Sequence, residues 1–299
     1  MLVTVGIPTY KRVDGLKRAL DSILCQTYSN IEVIISNDNS PVSEMFNVIE
    51  AYASKDARIK YMHQPYSLRT VANFSYVKDQ AQGKYFLWVA DDDWLEADYI
   101  EKCVEFLESN PEFSIAAGKC YYHADINNVL HSNSNFSIDN VNYSARLFKY
   151  FRTVTLNGYY YGVMRTDLAK KFIMPNQLGF DWNIVAYMCF KGKLKTLENT
   201  GNHISKGGMS NEGTGLSSYF DQKGIIAENL IGLRTALNCA RNVFKSSLYQ
   251  INPVTKFWLS ALIFVAAYSH IISWDLILLK RRFVKLLKLS QNGVLFNKD

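Results

Sequence analysis

The sequence predicts an α/β protein: a mostly parallel central sheet flanked by helices, with an added helical region at the C-terminal end. Two observations predict it. Over the first hundred residues, short apolar runs rich in β-formers alternate with segments of helical period, and such alternation builds parallel strands covered by helices. After a Gly-rich stretch at 201–215, apolar residues recur only at helical spacing.

The elements follow in order. LVTVGI (2–7) is a first strand ended by Pro8, and Val13, Leu16, Leu20, Ile23 and Leu24 then mark a helix over 13–25. IEVIIS (31–36) is a second buried strand, closed by the turn-rich NDNSP. A helix at 43–54, a strand at 59–63, a helix at 68–81 and a strand at 85–90 complete the alternation. Beyond it the pattern is mixed: helix 96–108, strand 113–121, an Asn/Ser-rich surface excursion over 123–144, strand 159–165, helix 181–191 and strand 193–198. Ile226, Leu230, Leu233, Leu237, Ala240 and Phe244 then form one helical stripe. We therefore divide the chain at 220/221, with halves 1–110 and 111–220 in the first unit and a helical region over 221–299.

Composition excludes several classes. With 48% hydrophobic and 20% charged residues, the 299-residue chain is neither disordered nor collagen-like. Its five cysteines are scattered and form no CxxC or zinc-finger spacing, which suits reduced thiols in the cytoplasm. The chain opens directly on a strand pattern, so no secretory signal is expected. The net charge of +6 is confined to residues 245–299, which carry eight Lys/Arg against two acids; the other 244 residues balance at 25 each. That argues against a nucleic-acid groove and for a local task at the C-terminus. FWLSALIFVAAYSHIISWDLILL (257–279) runs into KRRFVKLLK (280–288). Two readings of 254–290 fit: a helix lying on an anionic membrane surface, or a helical pair packed on the fold with a solvated basic face. A bilayer span ranks third, because Asp275 is expensive in hydrocarbon.

In an open parallel sheet, ligands bind beyond the carboxyl ends of the strands. The mouths here carry Pro8-Thr9-Tyr10-Lys11-Arg12, then Asn37-Asp38-Asn39-Ser40, then His63 with Arg69, then Asp91-Asp92-Asp93-Trp94. Three successive carboxylates need compensation, either solvation at a loop tip or, where an apolar strand and Trp94 make the mouth partly buried, a hard divalent cation: Mg²⁺ or Mn²⁺ takes one or two carboxylates and completes its shell with water and phosphates. The first turn is not G-x-G-x-x-G and no GxxxxGK[ST] occurs, so dinucleotide and P-loop sites are excluded.

IPTYKR, IEVIISNDNS, an Arg69/Asn73-bearing helix and FLWVADDDW, in that order over residues 1–110, resemble the nucleotide-binding half of family 2 glycosyltransferases, which have the GT-A fold. The resemblance implies an inverting transferase using a nucleotide-diphospho-sugar, usually UDP-linked, with Mn²⁺ or Mg²⁺. It implies that Pro8, Thr9 and Tyr10 line base and ribose, that Asp38 bonds the base, and that Arg69 lies near the nucleotide. It also implies that Asp91–Asp93 is the D-x-D motif. Ala90 stands where many members have the first Asp of L-D-x-D-D, so the division of labour stays open: Asp93 on the metal, Asp91 and Asp92 on ribose or metal.

In the second half, Asp181 matches the family's catalytic base, although Phe180 replaces the usual Glu before it. A carboxylate there would take the acceptor hydroxyl's proton; a plain helix N-cap is the competing reading. His203, opening the Gly-rich segment, is either a further metal ligand or a surface residue. Gly207, Gly208, Gly213 and Gly215 suit a closing lid or an ordinary long loop. The expected acceptor is a glycan or lipid-linked glycan in surface polysaccharide assembly. The expected location is cytoplasmic, peripheral on the inner face of the membrane if 254–290 binds lipid. Rival functions are a nucleotidyltransferase-type nucleotide-sugar enzyme and a non-catalytic binding protein on the same sheet.

Overall fold

Alternation along the strands assigns the helices to faces. In a computed structural model, residues 1–125, 128–133, 136–154, 157–205 and 230–294 are described. The first half contains β1 (Val3–Thr9), α1 (Val13–Leu24), β2 (Ile31–Asn37), α2 (Ser43–Ala53), β3 (Ile59–His63), α3 (Arg69–Gln80) and β4 (Tyr85–Trp88). Val3, Val5 and Ile7 of β1 join Val33 and Ile35 of β2 and Leu87 of β4 in one core, sealed by Leu16 and Leu20 of α1 and by Met45 and Ile49 of α2. Phe86 and Trp88 of β4 point the other way, into a second core with Val71 and Val77 of α3. Gly6 lets α3 lie close on that face, since a Cβ there would sit 2.8 Å from Val77 Cγ2.

The second half adds β5 (Trp94–Leu95), α4 (Tyr99–Ser109), β6 (Phe113–Asp125), β7 (Asn128–Asn133) and α5 (Tyr143–Thr153). A 3-10 turn (Gly158–Tyr161), β8 (Val163–Arg165), α6 (Thr166–Ala169), α7 (Phe180–Lys191) and β9 (Lys193–Ser205) follow. The strands form one nine-stranded sheet in the order β3-β2-β1-β4-β8-β6-β9-β5, with β7 paired to β6. β1, β2, β3 and β4 run parallel, as do β6 and β9, while β8 lies antiparallel between β4 and β6. Two long helices close the chain, α8 (Ile231–Lys245) and α9 (Pro253–Val294). Ala236, Cys239, Ile263 and Ile271 from these helices belong to the same core as Trp88 and Tyr187, so they are built onto the sheet's second face. The 220/221 division lies outside the described residues.

Three sequence expectations differ locally. The strand expected over 159–165 is a 3-10 turn plus a three-residue strand, because Tyr160 stacks on Trp88 at 4.5 Å instead of alternating across the sheet. The surface excursion expected from residue 123 contains the end of β6 and its partner β7; backbone pairing there needs no apolar alternation. The strand expected over 193–198 runs on to Ser205 past a register shift, where a Cβ on Gly118 would stand 2.5 Å from Thr200 O. Ile226 and glycines 207, 208, 213 and 215 lie outside the described residues.

Candidate active site

Parallel β1, β2 and β4 bring their carboxyl ends to one edge, and the acidic triplet laces two of them together. Asp91 Oδ2 accepts from the Thr9 hydroxyl and the Tyr10 amide, both at 2.9 Å, and Oδ1 accepts from Arg12 Nη1 at 3.2 Å. The same Arg12 nitrogen lies 3.1 Å from Asp92 Oδ2. Arg18 donates to the Asp92 carbonyl at 2.5 Å while its guanidinium stacks 4.5 Å above Trp94. α1 can approach this closely only because residue 15 is glycine: a Cβ there would stand 2.3 Å from Asp91 O.

Asp93 is held differently. Its Oδ1 accepts from the Ser205 amide at 2.9 Å, whereas its Oδ2 is buried without a hydrogen-bond partner. All three aspartates are buried. Burial raises the Asp91 pKa to about 6 against the pull of Arg12. Burial, then the neighbouring Asp92 and Asp91, pushes Asp93 well above the ordinary range. A buried, hard oxygen without a partner on Asp93, next in sequence to an Asp92 carboxylate paired with Arg12, suits a divalent cation that takes one or two carboxylates from the protein. No group of three His, Cys, Asp or Glu side chains forms a ready-made metal shell among the described residues. The remaining positions would fall to water and substrate.

The β2 mouth is tied into the same edge. The Asp38 amide donates to Thr9 O at 3.0 Å, and its carboxylate accepts from the Ser67 hydroxyl at 2.8 Å and from the Leu68 amide. Each oxygen keeps a second lone pair. Pro8 is buried within β1, while Tyr10 is 45% exposed with Lys11 Nζ 4.7 Å above its ring. Arg69 is exposed and opens α3. Lys11, Asn39 and Arg69 all have positive φ (65°, 52° and 63°), a costly conformation that concentrates where substrates bind.

Asp181 supplies a second carboxylate. It lies in the first turn of α7, whose N-cap is Gly179 at φ 78°, so the N-cap reading of Asp181 is incorrect. Its Oδ2 accepts from Asn157 Nδ2 at 2.8 Å, and Asn157, itself left-handed at φ 43°, accepts from the Tyr150 hydroxyl at 2.9 Å. Burial raises the Asp181 pKa, and the Asn157 bond and nearby helix amides oppose it. Burial and then the charges of Asp93, Asp92 and Asp181 raise the Tyr161 phenol pKa. His203 lies within β9 rather than at a loop start. It pairs with Trp94, stacks on that ring at 5.0 Å, and shares a 2.8 Å hydrogen bond with His123. Burial and then His123 lower its pKa to about 4.

Residues 4–173 match the family Glycosyl transferase family 2. The chain belongs to that family. Curated relatives of this chain include "Glycosyltransferase GlyA" of Streptococcus pneumoniae, 32% identical over 130 residues, which are 40% of this chain and 18% of that protein. Another is the uncharacterized glycosyltransferase EpsJ of Bacillus subtilis, 33% identical over 109 residues, 36% of this chain and 31% of the relative. The matched segment thus spans less than a third of either. Among solved structures, S. aureus TarS 1–349 in complex with UDP-GlcNAc superposes with a TM-score of 0.64 at 16% identity, covering 90% of this chain and 73% of that one. A mannosyltransferase from Pyrobaculum calidifontis, solved with GDP-Man and Mn²⁺, gives 0.55 at 15% identity, covering 99% and 81%. The fold is GT-A with a helical extension.

Arg12, Arg18, Asn157 and Tyr150 were not singled out by the sequence. Arg12 stood in view within the β1 mouth, but nothing local told it from Lys11. The αL backbone of Asn157 had a weak signal in Asn-Gly, a turn dipeptide.

Proposed function

We propose that this glycosyltransferase moves a sugar from a UDP-linked donor to a hydroxyl of a glycan or lipid-linked glycan, with inversion, in surface polysaccharide assembly. The carrying observation is the buried acidic triplet at the carboxyl end of the parallel sheet, where Asp93 Oδ2 has no hydrogen-bond partner, together with a second carboxylate, Asp181, held by Asn157 at 2.8 Å. UDP-GlcNAc in TarS supports the donor class. In this reading Pro8, Thr9, Tyr10, Asp38 and Arg69 surround the nucleoside. Asp93, through its unpartnered Oδ2, and Asp92 would hold Mn²⁺ or Mg²⁺, and Asp91 fastens the β1 mouth. His203 braces Trp94 and stands near the backbone that holds Asp93. None of the five cysteines is in a disulfide and four are buried, as suits the reducing cytoplasm where such donors are made.

When bound, the cation supplies neutralisation of the departing diphosphate. Asp181 takes the proton of the acceptor hydroxyl as its oxygen bonds the anomeric carbon from the far side. The carbon–oxygen bond to phosphate breaks and UDP leaves with the electron pair. Asn157 keeps the base oriented, and its raised pKa suits a group that must hold a proton briefly.

A panel of UDP-sugars incubated with the protein and Mn²⁺ tests this. We expect slow UDP release from one donor, accelerated by acceptor, abolished by chelation and by Asp93→Ala. Release from no donor, or release indifferent to both treatments, would contradict the reading.

A further inference from the structure

The C-terminal helices expose far more apolar surface than packing requires. Half of the exposed large apolar side chains among the described residues fall within 237–279. On α9, Trp258 (67% exposed), Leu262, Val265 (60%), Ile272, Leu276 and Leu279 recur at spacings of three, four and seven residues as one strip. The opposite side of the helix, with Leu259, Ile263, Ala267 and Ile271, is buried in the core. Asp275 belongs to that inner side: its carboxylate accepts from the Gly232 and Leu233 amides at 2.7 and 2.8 Å, holding the start of α8. The sequence puzzle of an acid in an apolar helix is thereby resolved, and the outer strip is left without an acid.

A groove of about 580 Å³ runs beside the strip between α8 and α9. Leu237, Phe244, Phe257 and Phe264 line it with apolar surface, and Arg234, Arg241 and Lys245 add positive charge. Exposed Phe257 and Ala261 belong to the groove wall and adjoin the strip. The same unbroken helix then carries Lys280, Arg281, Arg282, Lys285 and Lys288, with Phe283 and Leu286 continuing the apolar spacing.

Charge selects the occupant. Residues 245–299 contain only two acids, and Asp275 is the buried cap. A second copy on this face would oppose cation to cation, whereas an anionic bilayer surface complements it. Pro253–Ile277 is long and apolar enough to cross a bilayer, but its inner face is occupied by protein. We propose that the α8–α9 face docks on membranes rich in anionic phospholipid, with the strip in the headgroup–acyl boundary and the groove and tail cations on lipid phosphates. The proposal stands apart from the donor reading and brings the enzyme to a surface where a lipid-linked acceptor would lie.

Co-sedimentation of the full chain with vesicles of phosphatidylcholine, alone or mixed with phosphatidylglycerol, tests it. Binding should require phosphatidylglycerol and weaken with salt. The double variant Trp258→Asp/Val265→Asp, at exposed positions, should lose at least about tenfold in affinity. Arg241→Glu/Lys245→Glu should lose about fivefold for each cation removed. Melting temperature and UDP binding should stay unchanged in both, which separates this test from that of the donor site. Wild-type protein remaining in the supernatant with phosphatidylglycerol vesicles, or vesicle binding unaffected by either variant, would overturn the proposal. So would a dimer in sedimentation velocity that Trp258→Asp/Val265→Asp dissolves while vesicle binding persists.

Discussion

Asp91 and Asp93 are neighbours with opposite duties, and substitution should separate them. Asp91 satisfies a hydroxyl, an amide and a guanidinium. Asp91→Asn should therefore cost about 1–3 kcal/mol of stability, read by denaturant unfolding. Asp93 keeps a buried oxygen without a partner. Asp93→Asn removes a disfavoured buried charge, so its stability in the absence of metal should be unchanged or higher while activity disappears. At Asp181, replacement by Asn should lower kcat roughly 10²–10⁴-fold with donor affinity intact. Burial raises the Asp181 pKa, so the acid limb of kcat/KM should lie above the ordinary carboxylate value. The Asn157 bond favours the charged form; Asn157→Ala should move the limb to still higher pH, with most of the loss at low pH. Equal loss at every pH would mark Asn157 as merely structural.

At the scale of elements, the close approach of α1 to the acidic loop is the most exposed to test. Gly15→Ala would place a methyl against the Asp91 carbonyl; we expect about 1–3 kcal/mol of destabilisation and weaker UDP binding. The β1–α3–β4 half was legible because buried parallel strands read as apolar runs and their mouths fall at countable positions. Asp38 and Asp91–Asp93 could be named for that reason. What could not be read depends on partners distant in sequence: Asn157 reaches Asp181 across 24 residues and Ser205 reaches Asp93 across 112. Neither bond leaves a local pattern. β6–β7 pairing and the register shift before Gly201 escaped for a related reason, since polar hairpins and bulges carry no apolar period.

Over the whole molecule, the C-terminal helices support the chemistry as well as facing outward. Asn238 of α8 donates to Leu178 O at 3.1 Å, and Thr235 and Cys239 press on Gly179, immediately before the helix that bears Asp181. Because α8 and α9 share a core with the sheet, thermal unfolding should be one cooperative transition by calorimetry and by near-UV signal. Two separated transitions would contradict that shared core. The central claim concerns the other end of the site, the proposed cation and diphosphate position at the unpartnered Asp93 oxygen. Isothermal titration of UDP into wild type and Asp93→Asn, with Mn²⁺ and after chelation, measures it most directly. The account predicts wild-type binding that depends on Mn²⁺ and a folded variant in which that dependence is gone. Equal UDP affinity in all four titrations would contradict it.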